Sequence, residues 1–123
     1  MIAKNISGRF GEKKAIEYLQ ESGYRILHHS YKVAGAEIDI IATDGDVLCF
    51  IEVKTRKNKD FGWASMAVDK RKMQKMILGA RCYMKNNPSY HTFRFDVVEV
   101  YGEVRTSGFS VSELNHIKNA FEA

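Results

Sequence analysis

The chain has 123 residues, of which 45% are apolar and 28% charged, and its formal net charge is +4. These values are typical of one globular domain and exclude a collagen-like repeat, a disulfide-stapled miniprotein and a disordered tail. We therefore expect a single domain over 1–123, with a core at about 8–101 and a tail at 102–123.

Hydrophobic periodicity predicts secondary-structure elements in the order α-β-β-β-α-β. The predicted helices and strands, in chain order, cover about 7–21, 24–32, 36–43, 47–55, 68–86 and 92–101. Near the C-terminus, Leu114, Ile117 and Phe121 recur at helical spacing, so we predict a short C-terminal helix over 110–123. This order indicates an α/β or α+β fold, with a mixed central sheet flanked by helices.

Acidic residues stand in two predicted strands where a buried strand would be apolar. Glu37 and Asp39 lie in the second strand, and Glu52 lies two residues before Lys54 in the third. Because side chains alternate along a strand, Glu37 and Asp39 share one face, and Glu52 and Lys54 also share one. Each of the two strands therefore presents a charged face.

The register of the hairpin between these strands decides whether the two charged faces meet. A two-residue turn at Asp44-Gly45, which pairs Thr43 with Asp46, places Asp39 diagonal to Glu52. A four-residue loop that pairs Thr43 with Leu48 places Asp39 directly opposite Glu52. Both registers bring these acids and Lys54 together, whereas a three-residue loop without a bulge separates them. The sequence leaves the two productive registers open.

Two carboxylates that face each other across strands repel and need compensation. A Mg²⁺ or Mn²⁺ ion provides it, since both ions take a few carboxylate oxygens and complete their shell with water. The alternative is a surface cluster in which Lys54 and other bases neutralise the acids, with little effect on stability. The pattern alone does not decide between them.

Four blocks of the sequence, in order, carry a resemblance to a known family. They are Gly11-Glu12-x-x-Ala15-x-x-x-Leu19-x-x-x-Gly23, Glu37-Ile38-Asp39, Phe50-Ile51-Glu52-Val53-Lys54-Thr55-Arg56 and Arg94-Phe95-Asp96-Val97-Val98. The second and third blocks resemble the split Asp…Glu-x-Lys signature of restriction-endonuclease-like nucleases. Over about 8–100, the chain resembles the YraN-type family of uncharacterised bacterial proteins, which are similar to archaeal Holliday-junction resolvases.

The resemblance implies a restriction-endonuclease-like core and a nuclease, dependent on Mg²⁺ or Mn²⁺, that hydrolyses phosphodiester bonds of DNA, including branched DNA. It implies that Asp39, Glu52 and the backbone carbonyl of Val53 bind the metal. Lys54 would orient the attacking water and stabilise charge on the phosphate, and Glu12 would reach the same site. It also implies a homodimer, although the sequence contains no recognisable self-complementary patch.

Basic residues are concentrated in one segment of the chain. Between residues 54 and 85 there are ten basic residues and two acidic ones, which suits a polyanion such as nucleic acid. Arg56 and Lys57 directly follow the third strand, and Lys72 and Lys75 lie on the second helix, so all four are candidate phosphate contacts. A helix face exposed to water explains Lys72 and Lys75 equally well.

Several other residues have a functional and a structural interpretation. Phe61, Trp63 and Tyr90 are of a type that stacks on exposed bases, although packing under a loop is the commoner role of such aromatics. For Asp96 we predict a salt bridge.

Cysteine usage and hydropathy indicate the compartment. Cys49 and Cys82 are far apart and form no Cys-x-x-Cys pair, so we predict neither a zinc site nor a disulfide. The chain has no signal-peptide pattern and no apolar run of about eighteen residues. We therefore expect a cytoplasmic protein without a membrane partner.

The leading hypothesis is a metal-dependent DNA nuclease. A nucleic-acid-binding module that keeps the fold but does not cleave is the first alternative, and a protein-interaction domain is the second. The presence of Asp39, Glu52 and Lys54 together favours the nuclease, because a module that only binds DNA has no use for opposed acids beside phosphates.

Overall fold

The computed structural model describes residues 2–57 and 70–123, with side chains from residue 8 onward. The helices and strands are α1 (Ile2–Glu21), β1 (Arg25–Val33), β2 (Ala36–Asp44), β3 (Val47–Arg56), α2 (Lys70–Asn86), β4 (Thr92–Arg105) and β5 (Gly108–Phe121). The strands form one mixed sheet in the order β1-β2-β3-β4-β5, in which only β3 and β4 are parallel. The architecture is mixed α+β and agrees with the predicted restriction-endonuclease-like core.

The two helices cover opposite faces of the sheet, because alternate residues of β3 pack into two different clusters. The cluster on the α1 face contains Ala15, Leu19, Ile40, Ala42, Cys49, Ile51, Val98 and Val100. The cluster on the α2 face contains Ile38, Ile41, Leu48, Phe50, Met76, Ala80, Tyr83 and Phe95. The middle of the sheet is therefore buried on both faces, as continuous apolar runs in its central strands require.

The β2–β3 hairpin pairs Thr43 with Leu48, which is one of the two productive registers. Its turn has two residues, the first of which is Gly45 with a φ of 61°. Glycine at this position is typical of a type II′ turn, whose twist matches that of the flanking strands. In this register Asp39 lies opposite Glu52.

The C-terminal segment is a strand, so the predicted short C-terminal helix over 110–123 is wrong. β5 pairs with β4 in an antiparallel hairpin that contains two register shifts. At one of these shifts, Phe95 pairs with Phe121 and Val97 pairs with Ile117. The two β4 residues are two positions apart and the two β5 residues are four positions apart, so β5 contains extra residues here. This bulge accounts for the spacing of Ile117 and Phe121, whereas Leu114 and Ile117 pair with Val100 and Val97 and so lie on opposite faces of the sheet. The spacing of the three apolar residues therefore imitates a helix.

The helices agree with the prediction except at one end. α1 begins at Ile2, earlier than the predicted residue 7, because residues 2–6 contain no glycine or proline to interrupt it. α2 ends at Asn86 as predicted, ahead of Pro88. Neither helix in the described part of the chain combines the length and the apolar character needed to cross a bilayer.

Gly11 marks a close approach between α1 and β3. A Cβ atom at this position would overlap Oγ1 of Thr55 and lie 3.0 Å from its Cβ and 3.1 Å from its Cγ2. Rotation of the Thr55 side chain can move Oγ1 away, but the close contact with Thr55 Cβ stays. Gly11→Ala is therefore expected to lower the free energy of unfolding by about 1–3 kcal/mol, measured by urea unfolding, although alanine favours a helix.

Gly8→Ala is the matched control on the same helix. A Cβ at Gly8 meets no atom of the described residues within 4 Å, so the better helix propensity of alanine is expected to raise stability by up to about 1 kcal/mol. Equal effects of the two substitutions would contradict the close contact between α1 and β3.

Candidate active site

The sheet opens into a cleft at one end of β2 and β3. Counted away from the hairpin turn, the last pair between β2 and β3 is Ile40 with Ile51. Beyond it, β2 continues beside β1 as far as Ala36, and β3 continues beside β4 as far as Arg56. The ends of β2 and β3 therefore separate, and the predicted site residues lie on the walls of this cleft.

Asp39 lies at an irregularity of β2. Ile38 packs into the α2-face cluster and Ile40 into the α1-face cluster, although strict alternation would place both on one face. Ser30, which lies across from Asp39 on β1, has a φ of 49°, an uncommon conformation for serine. Both strands are distorted at the same place, next to the cleft.

The Asp39 carboxylate reaches across the cleft to β3. Its Oδ2 accepts a hydrogen bond from the backbone N–H of Val53, at 2.8 Å. The side chain thus occupies the place of a missing ladder bond between β2 and β3. Burial, and then the negative charge of Glu52, raise the pKa of Asp39 to about 7, against the opposing effect of the Val53 N–H.

Glu52 is buried between two lysines. Its Oε1 lies 3.6 Å from Nζ of Lys54, and its Oε2 lies 3.3 Å from Nζ of Lys72. No described residue donates a hydrogen bond to the buried Oε2, because the Lys72 contact is an ion pair without hydrogen-bond geometry. A buried carboxylate oxygen without a donor is costly, so this atom is a suitable ligand for a cation.

Glu12 extends from α1 toward the same cleft. Its Oε1 accepts a hydrogen bond from Oγ of Ser30, at 3.3 Å. Burial raises the pKa of Glu12, and the nearby charge of Asp39 raises it further. The two acids are therefore close enough to influence each other, as the resemblance implied.

The acids suit a hard divalent ion held by few protein ligands. Asp39 and Glu52 offer carboxylate oxygens, which Mg²⁺ and Mn²⁺ prefer, and both ions complete their shell with water and phosphate oxygens. Within 2–57 and 70–123, no three His, Cys, Asp or Glu side chains form a larger ligand set. The residues present thus fit a two-carboxylate site. Val53 contributes its N–H to Asp39, and its carbonyl as a ligand stays a prediction.

The predicted phosphate contacts lie at different distances from the carboxylates. Lys72 lies at the site, through its ion pair with Glu52. Arg56 and Lys57 are exposed at the end of β3, and Lys57 also pairs with Glu103 at 3.6 Å. Lys75 is exposed on α2, one turn after Lys72.

The predicted aromatic contacts have different outcomes. Tyr90 packs against the α2-face cluster, which supports its structural interpretation. Phe61 and Trp63 lie outside the described residues. Ser30 was not predicted as a site residue, because serine rarely adopts its left-handed backbone conformation and no motif marks it.

Asp96 forms the predicted salt bridge, away from the cleft on the α1 face. This fully buried carboxylate accepts hydrogen bonds from Nε of Arg94 at 3.0 Å, from the backbone N–H of Asn119 at 3.0 Å and from Nε2 of His116 at 2.8 Å. Burial alone would raise the pKa of Asp96, but these hydrogen bonds outweigh burial and lower it. Asp96 therefore links β4 to β5.

The fold and the site together define a class: a mixed α+β domain whose central sheet opens onto a buried pair of carboxylates flanked by lysines. The profile of the uncharacterised protein family UPF0102 matches residues 11–100. The chain belongs to this family, which confirms the YraN-type resemblance.

Several bacterial proteins named UPF0102 protein match almost the whole chain. The UPF0102 protein of Caldicellulosiruptor saccharolyticus is 40% identical over 115 residues, which cover 93% of this chain and 95% of the relative. That of Clostridioides difficile is 43% identical over the same length and shares of both chains. That of Janthinobacterium sp. is 34% identical over 121 residues, 98% of this chain and 91% of the relative. The similarity therefore extends beyond the candidate site to the complete fold.

Proposed function

We propose that this protein is a nuclease that depends on Mg²⁺ or Mn²⁺ and hydrolyses phosphodiester bonds of DNA. The observation that carries the proposal is the pairing of the half-buried Asp39 with the buried Glu52 at the open end of the sheet, with one Glu52 oxygen that accepts no hydrogen bond from the described residues. Lys54 and Lys72 form ion pairs with Glu52, but no described cation forms an ion pair with Asp39, whose pKa is raised by burial and then by the charge of Glu52. A divalent metal ion bound between the two carboxylates would offset their repulsion, and a phosphate of the substrate would supply further ligands to the ion.

The side chains around the pair can divide the chemistry of hydrolysis. A bound divalent ion would lower the pKa of a water molecule and withdraw charge from a phosphate oxygen. Lys54, which forms an ion pair with Glu52, would orient the attacking water and stabilise charge on the phosphate. Lys72 adds a second positive charge on the other side of Glu52.

Glu12 is suited to proton transfer at the edge of the site. Its raised pKa brings proton exchange closer to neutral pH than for an ordinary glutamate, and the hydrogen bond from Ser30 orients its side chain. We assign it to hold or release a proton next to Asp39.

The basic residues around the cleft support DNA as the substrate. Arg56 and Lys57 are exposed where β3 ends, and Lys75 is exposed on α2 one turn after Lys72, so all three can supply charge for phosphate contacts. The same residues also support the second candidate, a nucleic-acid-binding module without cleavage. In either case, affinity for DNA should fall steeply as salt increases.

The deciding experiment measures cleavage of linear duplex, single-stranded and four-way-junction DNA with Mg²⁺ or Mn²⁺. The wild-type protein is expected to cleave, and EDTA to abolish cleavage. Asp39→Ala and Glu52→Ala are expected to lower the rate by at least about 100-fold, because each removes charge that the reaction uses. Glu37→Ala removes an exposed acid from the same strand and is expected to retain activity.

Other outcomes lead to other conclusions. Cleavage that both site variants retain would indicate a contaminating nuclease or a different site. Binding of DNA without cleavage under any metal would support the binding module, and no binding at low salt would exclude both candidates.

A further inference from the structure

A groove between α1 and β1 opens beside the candidate active site. Its volume is about 570 Å³, and its lining includes both Glu12 and Ser30. These two residues also belong to the cleft, where Glu12 lies within electrostatic reach of Asp39. The groove, called here the α1–β1 groove, is therefore continuous with the cleft.

The lining of the α1–β1 groove carries charges of both signs, and its two basic residues are exposed. Arg9 and Lys13 line it and are exposed, and neither forms an ion pair with another residue of the described ranges. The acid Glu17 also lines the groove, but Lys14 pairs with it at 3.5 Å. Arg9 and Lys13 are therefore the groups that an anion approaching the cleft from this side would contact, next to Glu12, which accepts a hydrogen bond from Ser30.

The interior of the groove is less polar than its rim. Ile16 is partly buried and lines the groove, while Gln20 and His29 contribute groups that can form hydrogen bonds. A concave site that combines an apolar part with a few polar groups, within the usual range of about 300–1,000 Å³, suits a small planar ligand. It does not suit the surface of a protein domain.

Charge and shape together favour one nucleotide of a DNA strand. In a duplex the base faces are stacked and only edges and phosphates are accessible, so a base reaches an apolar surface only when it is unpaired. Positive groups lie on both sides of the carboxylates, with Arg9 and Lys13 on the α1 side and Lys54 and Lys72 beside Glu52. A single strand that crosses the acids would meet positive charge in both directions.

We propose that the α1–β1 groove binds an unpaired nucleotide next to the phosphate that is cleaved. The base packs against Ile16, and the phosphate lies near Arg9 and Lys13. This inference rests on the proposed nuclease function and deepens it by naming the substrate class. The substrate is DNA with an unpaired stretch beside the cut, such as a single strand, a flap or a gap, and not a continuous duplex.

The test compares two charge reversals, one in the groove and one away from it. Lys13→Glu places a negative charge on the groove, and Lys118→Glu makes the same change in net charge at an exposed position of β5, outside the lining of the groove. The probes are a fluorescein-labelled oligothymidine and a labelled hairpin duplex, and binding is measured by anisotropy in EDTA at low salt. Urea unfolding verifies that both variants are folded.

We expect Lys13→Glu to weaken oligothymidine binding by about 10-fold and Lys118→Glu to weaken it by less than about 2-fold, while both weaken duplex binding to a similar, smaller extent. Equal losses for the two variants, or an equal effect of Lys13→Glu on both probes, would overturn the proposal. Because EDTA prevents cleavage, this outcome is independent of the nuclease assay. Selective binding without cleavage would refute only the nuclease, and cleavage without selective binding would refute only the groove.

Discussion

Asp39→Asn is expected to remove cleavage and, at the same time, to make the metal-free protein more stable at pH 8. Asparagine keeps an oxygen that accepts the hydrogen bond from Val53 N–H, so the backbone contact is preserved. It removes the negative charge that faces Glu52, so the metal loses a ligand while the repulsion disappears. We expect the cleavage rate to fall by about 10²–10³-fold.

The stability gain should depend on pH in a defined direction. The pKa of Asp39 rises from an ordinary value of 3.8 to about 7, so the folded state binds the proton more tightly than the unfolded state. The free energy of unfolding of the wild-type protein therefore falls as the pH rises from about 4 to about 7. Asp39→Asn removes this loss of stability. We expect the gain to be about 1–3 kcal/mol, less than the full pKa shift would give, because solvent partly screens the half-exposed side chain.

Urea unfolding of the metal-free protein at pH 5 and pH 8 measures this effect. The gain from Asp39→Asn should be larger at pH 8, and added Mn²⁺ should stabilise the wild-type protein but not the variant. Asp39→Ala is the comparison, because it removes both the charge and the acceptor for Val53 N–H. A variant Asp39→Asn that is less stable than the wild type at pH 8 would contradict the repulsion between Asp39 and Glu52.

Asp96→Ala should cause the largest loss of stability, about 3–5 kcal/mol. The substitution leaves the charge of Arg94 without its buried partner and removes the acceptor for His116 and the Asn119 N–H. Because the pKa of Asp96 is lowered in the folded state, its contribution is present above about pH 4 and lost as the pH falls further. The difference between variant and wild type should therefore shrink in acid.

Asp44→Ala provides the matched control, because Asp44 contacts the same arginine from a more exposed position. Its Oδ2 lies 3.2 Å from Nη1 of Arg94, and its side chain is 41% exposed. Exposed ion pairs contribute little, so we expect a loss below about 1 kcal/mol in the same urea experiment. Similar losses for Asp44→Ala and Asp96→Ala would contradict the structural importance of the Asp96 contacts with β5.

The site was predictable where it depends on local sequence. Strand alternation placed Asp39 on one charged face and Glu52 with Lys54 on another, and turn chemistry limited the registers to a few. The choice of register followed only from the structure, through the pairing of Thr43 with Leu48. Glu12 entered through the family resemblance, because nothing local to α1 indicates which acids lie near a cleft.

Other features depend on packing that a sequence pattern does not contain. The change of face at Asp39 and the conformation of Ser30 belong to two distorted strands and leave no periodic trace. In β5, apolar residues on both faces of the strand and one bulge before Phe121 together gave the C-terminal segment the apparent period of a helix. The contact of Lys72 with Glu52 depends on how α2 packs on the sheet.

The Asp39–Val53 hydrogen bond also constrains how this fold can change over evolution. Asp39 is both a proposed reactive group and a link between two strands, whereas no backbone N–H of residues 2–57 or 70–123 donates to Oε2 of Glu52. A descendant that gives up catalysis would be free to replace Glu52, and would even gain from losing a buried charge. At position 39 it would still need an acceptor, so a vestigial member of the lineage should carry Asp or Asn there.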